Sequence, residues 1–367
     1  MDQTANKYTI IHDYIRDSII RGRFKRGQKL PSDMQIAKQF EASRPTVAKA
    51  LNSLRDSGLI ERKVGSGSYV CYEGNTEKTL TIGLMVPGTR ETEIFDPIGA
   101  YIAQMSEEKN VNILLGRTIS EDAEERCAHM QSIASRYIRE KVDGVLFVPL
   151  ELTSSKDRAN TQLVERFTQA CIPVVLLDRD IVQPPARSGY DLVSIDNYHV
   201  GNVITRHLLD MGYKHIHFLA RPLSAPSVNI RLNSFLQTLI NEGFKCDDSI
   251  VHFIDVNEID QVRSIVDSLE PDSAFFCAND TTAAMLMHQL DELNVSIPKN
   301  VGVAGVDDVQ YANQLRVPLT TYRHPCADIA RVIMDTMLER IGDPRLPARK
   351  ITITGELVPR KSTQKND

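Results

Sequence analysis

Apolar residues change rhythm near residue 80. Before that point they recur at helical spacing. Ile11, Tyr14, Ile15 and Ile19 predict one helix face over 8–20, with an end at Gly22. Over 30–40, Ser32 is placed to cap a short helix and Gln35, three residues on, to close a capping box. A third helix begins at Ser43, an N-cap residue, with Pro45 in a first turn whose amides lack intrahelical acceptors. Its Val47, Ala50, Leu51 and Leu54 follow i, i+3, i+4, i+7, and Gly58 ends it. Residues 59–70 read as two short strands around Gly65-Ser-Gly67, a turn suited to glycine. Three helices and a hairpin predict a winged helix-turn-helix over 1–71.

Residues 72–79 are polar and aperiodic, which predicts a linker. From 80 onward, short apolar runs (80–86, 112–115, 144–148, 173–177, 192–195, 215–219, 274–277, 301–306) alternate with helical patterns such as 122–140, 163–170, 197–211 and 280–293. Continuously apolar strands alternating with helices predict parallel sheets covered on both faces. The fold class expected is α/β: a winged helix-turn-helix followed by a two-lobed parallel-sheet body over 80–360, with 361–367 as a tail.

Charge sharpens this division. Residues 1–72 carry 13 Lys and Arg against 7 Asp and Glu, whereas the remainder carries 30 against 41. A net +6 head on a −11 body suits a polyanion-binding module, because each cation that neutralises a phosphate releases a condensed counterion. No run of about 18 uncharged apolar residues occurs, and the first residues lack the build of an export signal, so a soluble, cytoplasmic chain is expected. The six cysteines are scattered without a Cys-x-x-Cys pair, so neither a metal site nor a disulfide framework is expected.

With Val47, Ala50, Leu51 and Leu54 inward, Arg44, Pro45, Ala48, Lys49 and Asn52 are expected on the outer side, next to the positive end of the helix. An arginine at such an end can bond the O6 and N7 of a guanine. In the body, polar residues follow the strands: Asp178-Arg179, Asp196-Asn197, Ala278-Asn-Asp280 and Asp307-Asp308. Ligands of open α/β sheets bind beyond the carboxyl ends of the strands. Capping the next helix is the reading that leads for Asp196, Asp280 and Asp308. Asp178, Asn279 and Asp307 lead as ligand residues.

The runs Gly27-Gln-Lys-Leu-Pro-Ser-Asp33, Ser43-Arg-Pro-Thr-Val-Ala-Lys-Ala-Leu51 and Gly58-Leu-Ile-Glu-Arg-Lys-Val-Gly-Ser-Gly-Ser-Tyr-Val70 resemble the DNA-binding domain of GntR-type bacterial regulators. The resemblance implies base and phosphate contacts by Arg44 and Thr46, with Pro45 and Lys49 beside them. Ser32 would lie near the DNA backbone, and Gly65, Ser66 and Gly67 would form a wing tip in the minor groove. Met34 and Ala48 stand where those relatives usually carry arginine.

The body resembles the effector domain of LacI/GalR regulators, itself similar to periplasmic sugar-binding proteins. Pro173-Val-Val-Leu-Leu-Asp-Arg179, Val193-Ser-Ile-Asp-Asn197, Arg231-Leu-Asn-Ser-Phe235, Ala278-Asn-Asp280, Val303-Ala-Gly-Val-Asp-Asp308 and Pro318-Leu-Thr-Thr321 carry this resemblance. It implies that Asp178, Arg231, Asn279 and Asp307 bond a sugar's hydroxyls, with Arg179 close by and Phe95, in the loop after the first strand, as an apolar wall. Ser234 replaces the usual glycine. The whole is similar to the AraR arabinose repressors.

A catalytic role finds little support: His215 and His217 share a strand face without a third ligand, and no nucleophile elbow or phosphate loop occurs. The expectation is a cofactor-free transcription regulator that binds double-stranded operator DNA as a homodimer, most simply a repressor released by a pentose or hexose. Alternatives are an activator or co-repressor-dependent regulator sensing a sugar phosphate or nucleobase, and a stand-alone sugar-binding protein.

Overall fold

The computed structural model describes residues 3–20, 23–63, 66–72, 79–88, 93–118, 120 and 122–365. They form two compact units, Met1–Leu80 and Thr81–Asp367.

In the first unit, α1 (Gln3–Ile20), α2 (Asp33–Gln39) and α3 (Arg44–Asp56) precede the antiparallel hairpin of β1 (Ile60–Lys63) and β2 (Gly67–Val70). Ile11, Ile15, Ile19, Ile36, Val47, Ala50, Leu51, Leu54, Ile60 and Val70 make one core. Tyr14, expected on the buried face, is 40% exposed and sets its ring edge-on to Phe40. Ser32 closes the capping box with Gln35, and Ser43 accepts from the Thr46 amide. Gly22, Gly65 and most of the expected linker lie outside the described residues.

The second unit has two lobes. In the first, β3 (Leu80–Val86), α4 (Phe95–Glu108), β4 (Val111–Arg117), α5 (Ala123–Glu140), β5 (Gly144–Phe147), α6 (Lys156–Gln169), β6 (Val174–Leu177) and β7 (Asp191–Ile195) alternate. The second lobe holds α7 (Asn197–Asp210), β8 (His215–Ala220), α8 (Pro226–Asn241), β9 (Val251–Phe253), α9 (Ile259–Val266), β10 (Ser273–Cys277), α10 (Asp280–Glu292), β11 (Val301–Asp307) and β12 (Thr320–Arg323). The chain then returns through α11 (Cys326–Gly342) and β13 (Lys350–Ile353) to the first lobe, and β14 (Glu356–Val358) completes the second. The sheet orders are β13-β7-β6-β5-β3-β4 and β14-β12-β11-β10-β8-β9, each six-stranded, and β14 runs antiparallel to β12 at the edge of the second. Fully buried strands such as β5, β6 and β10 explain the continuous apolar runs. Three connections therefore cross between the lobes: β7 to α7, β12 to α11, and β13 to β14.

Residues 361–363, expected within a tail, instead form a short 3-10 turn on the second lobe. The Ser362 hydroxyl donates to the Val303 carbonyl (2.6 Å) and accepts from the Thr320 amide (2.8 Å). Thr363 meets Thr320 and His207, and both Ser362 and Thr363 are fully buried. Small hydroxylated residues satisfy strand-end backbone groups that solvent would otherwise have to reach.

Candidate functional site

On the first unit, Arg44 opens α3 and is exposed; its guanidinium lies 2.9 Å from the Met34 sulfur. The residue that replaces an expected arginine thus supports the one that remains. Pro45 sits in the first turn, and the Thr46 hydroxyl meets that of Ser43 at 2.8 Å. Lys49 is exposed and outside the buried face of α3, as expected. Its ammonium lies 5.4 Å from the Tyr8 ring centroid, directed toward α1. Five helical steps from Arg44 to Lys49 turn the two side chains well apart, whereas Ala48 and Asn52 follow Arg44 at steps of four. At the hairpin, the Ser66 hydroxyl meets the Tyr69 hydroxyl at 2.7 Å, Gly67 has φ +111°, and the ammoniums of Lys29 and Lys63 lie 5.9 and 5.5 Å from the Tyr69 ring.

Sequence reasoning missed Arg62. From β1 it donates to Asp33 on α2 (2.6 Å) and to Asn52 on α3 (3.1 Å), tying the hairpin to both helices. Its signal was a basic residue on a strand beside an acidic first turn, a pairing that needs the tertiary fold to be seen.

In the second unit, Phe95, Asp178, Arg179, Arg231, Asn279 and Asp307 line one cavity of about 30 Å³ between the lobes. That volume holds a water molecule or two, so a larger molecule enters only as the lobes part. Phe95 is the first residue of α4 rather than a loop residue. Its ring lies 5.8 Å from the Arg179 guanidinium. Arg179 is buried between Asp178 (3.3 Å) and Glu151, both paired with it. Burial opposes its charge, yet Glu151 and Asp178 outweigh that penalty and raise its pKa. Glu151 also accepts the Ala225 amide of the opposite lobe (3.1 Å), and the neighbouring Leu152 amide donates to the Leu223 carbonyl (2.9 Å). Glu151 follows a strand as Asp178 does, but Val148, Pro149 and Leu150 intervene, so a rule of direct adjacency passes over it.

Arg231 donates from Nε to Asn197 (2.7 Å) and from Nη1 to the Ala278 carbonyl, so α8 presents it already oriented. The Ser234 hydroxyl, one turn on, donates to the Tyr198 carbonyl, and Gly201 lets α7 approach, because a Cβ there would lie 2.5 Å from the Arg231 carbonyl. Asn279 caps α10 through the Thr282 amide (2.8 Å) as well as lining the cavity. Asp280, expected as a cap, is instead fully buried: it accepts from the Thr321 hydroxyl (2.6 Å) and the Val309 amide (3.1 Å). Burial, then the charge of Asp307, holds its carboxyl well above the usual range. Asp308 is gripped by Arg323 (2.6 Å) and Arg360 rather than capping a helix. Asp196 does cap α7. Asp178 (φ +72°) and Asp307 (φ +124°) hold left-handed backbone, a strain that aims both carboxylates and leaves no mark in the sequence pattern.

His217 stacks on His252, with ring nitrogens 3.1 Å apart. Among the described residues no group of three His, Cys, Asp or Glu side chains is arranged to hold a metal, and no helix is long and apolar enough to cross a membrane.

Residues 7–70 match the profile of bacterial regulatory proteins of the gntR family, and residues 205–363 that of the periplasmic binding protein-like domain. The chain is 26% identical to the arabinose metabolism transcriptional repressor of Geobacillus stearothermophilus, over 99% of each chain. It is 24% identical to the ribose operon repressor of Haemophilus influenzae, over 89% of this chain and 97% of that one. Among solved structures, a LacI family transcriptional regulator from Enterococcus faecium with bound ribose superposes with a TM-score of 0.61 at 22% identity, covering 77% of this chain and 98% of that one. The transcriptional regulator CelR–cellobiose complex superposes with a TM-score of 0.65 at 18% identity, covering 91% and 100%.

Proposed function

We propose that this chain, in which a gntR-type winged helix-turn-helix precedes a periplasmic binding protein-like domain, is a cytoplasmic, non-enzymatic transcriptional repressor that leaves its operator when a small sugar binds between the two lobes. The observation that carries the sugar reading is the convergence of Phe95, Asp178, Arg179, Arg231, Asn279 and Asp307, from both lobes, on one cavity. Carboxylates accept from hydroxyls while arginine and asparagine donate to them, and an aromatic ring covers the apolar face, which is the donor and acceptor set of a polyol site. The full-length likeness to an arabinose repressor supports the same reading.

On the DNA side, Arg44 is the base reader, with Ser32, Pro45, Thr46 and the wing residues Gly65, Ser66 and Gly67 positioning it along the backbone. Lys49 serves from the flank of α3, where it lies over Tyr8. Two copies, paired through their bodies, place two such helices on a pseudo-palindrome about 34 Å apart or a multiple of it. Sugar binding changes the separation of the lobes about the three crossings and with it the spacing that DNA requires.

Titrating pentoses and hexoses against the full-length protein, while following its melting and its hold on operator DNA, tests this reading. A sugar that raises the melting temperature and releases the operator supports it. Sugars that bind without changing operator affinity would leave a binding protein, and a sugar that tightens operator binding would reverse the sign of the regulation.

A further inference from the structure

Beyond Asp307 a second chamber, of about 810 Å³, opens where the chain crosses from β12 to α11. Its walls come from the residues around the start of α4, from 307–310 and from 323–328. Five carboxylates line it, those of Glu93, Asp96, Asp307, Asp308 and Asp328, against one guanidinium, that of Arg323. Asp96 pairs with Arg117, Asp308 with Arg323 and Arg360, and Asp328 with Arg331. Glu93 pairs with no cation among the described residues.

Neighbouring groups register this charge. Burial, then Asp96, raises the Glu93 carboxyl. Burial first, with Glu93, Asp280 and Asp307 adding to it and a bond from Thr281 opposing, pushes Tyr311 to about 12. Burial and then Asp307 push Cys326 to about 11. A separate observation concerns His324, which lines the chamber at 4% exposure. Its Nε2 makes no hydrogen bond, although Asp307 Oδ1 lies 3.2 Å away. A buried ring nitrogen in this condition lacks a partner that a bound molecule can supply.

The ligand class follows from size and charge. The acids do not converge as a metal site does, so a bare cation has no coordination point. They surround a space of organic dimensions, with Ile94, Pro97 and Tyr101 as apolar wall. We propose that this chamber binds a small hydroxyl-bearing organic cation of amino-sugar type, its ammonium drawn by Glu93 and Asp307 and a hydroxyl taken by His324. The chamber shares Asp307 with the sugar cavity, but this inference does not require that a sugar bind there.

The test is calorimetric titration of the full-length protein with glucosamine and with putrescine, each against its neutral counterpart, glucose and 1,4-butanediol. Both amines should bind at least about ten times more tightly than their counterparts, glucosamine more tightly than putrescine, and added salt should weaken both. Glu93→Gln, checked for an unchanged melting temperature, should weaken glucosamine binding about tenfold, and Glu93→Ala serves as the second variant if Glu93→Gln misfolds. Putrescine that binds no more tightly than 1,4-butanediol, or Glu93 variants that bind glucosamine like wild type, would overturn the proposal. Operator release by a neutral sugar is read in a separate assay, so either reading can fail while the other stands.

Discussion

Arg44 opens α3 beside the Met34 sulfur, and the proposed base reading rests on that one guanidinium in the first turn of the helix. Replacing Arg44 with alanine should weaken operator binding by about 1 to 3 kcal/mol and relax selection at one base pair, as a competition assay on single-base operator variants would report. Met34→Arg should add a phosphate contact instead, steepening the dependence of log K on log salt by about one unit without sharpening sequence choice. The histidines make a pH prediction. Burial, helped by His252 and His215, pushes His217 down to about 4, and burial lowers His207 and His252 as well. The unfolded chain then binds more protons than the folded one below about pH 6.5, so stability is fully present above that value and is lost as pH falls toward about 4. Denaturant midpoints measured from about pH 7 to about pH 5 should drop, and His217→Phe should flatten the fall. Asp280 has the opposite sign: its raised pKa makes the folded carboxyl hold a proton that the unfolded one releases, which costs stability as pH rises above about 4. Asp280→Asn should therefore lessen the loss at neutral pH.

At the scale of elements, long periodic segments were legible and short mixed ones were not. The face of α3 is buried at Val47, Ala50, Leu51 and Leu54, as its spacing predicts, because a helix packed on one side needs no more information than that. The caps of α2 and α3 were legible too, since Ser32 and Ser43 act within three residues. Either Ser→Ala change should cost about 1 kcal/mol in unfolding titrations. By contrast, β13 and β14 have alternating or half-exposed burial and only three or four residues, and their identity as strands comes from partners far away in sequence, β13 from β7 and β14 from β12. The turn at 361–363 was hidden for a related reason. Lys361-Ser-Thr363 is polar, and its burial depends on strand ends and on Thr320 rather than on apolar side chains. Truncation before Arg360 should lower the melting temperature of the body by several degrees, because it leaves the Thr320 amide and the Val303 carbonyl without these partners.

For the molecule as a whole, the two-unit division was legible from charge and rhythm, and the residues that line the small cavity from the strand-end rule with a family resemblance. What no pattern carried was the set of contacts across the cleft, in which Glu151 reaches the Ala225 amide and holds Arg179. Asp307→Ala and Arg231→Ala should abolish sugar-driven release while leaving operator affinity within a factor of about two, because neither lies in the DNA-binding unit. Loss of operator binding by both, with cooperative melting retained, would contradict this division of labour.

The three crossings between the lobes also bear on synthesis. The first lobe lacks α11 and its edge strand β13 until about residue 353 has been made, and the second lobe lacks β14 and the 361–363 turn for longer still. The winged helix-turn-helix needs only its own core. At roughly 5 to 20 residues per second it emerges from the ribosome some 15 to 60 s before the body is complete. A nascent chain is therefore able to present its recognition helix well before it has a site with which to sense a ligand.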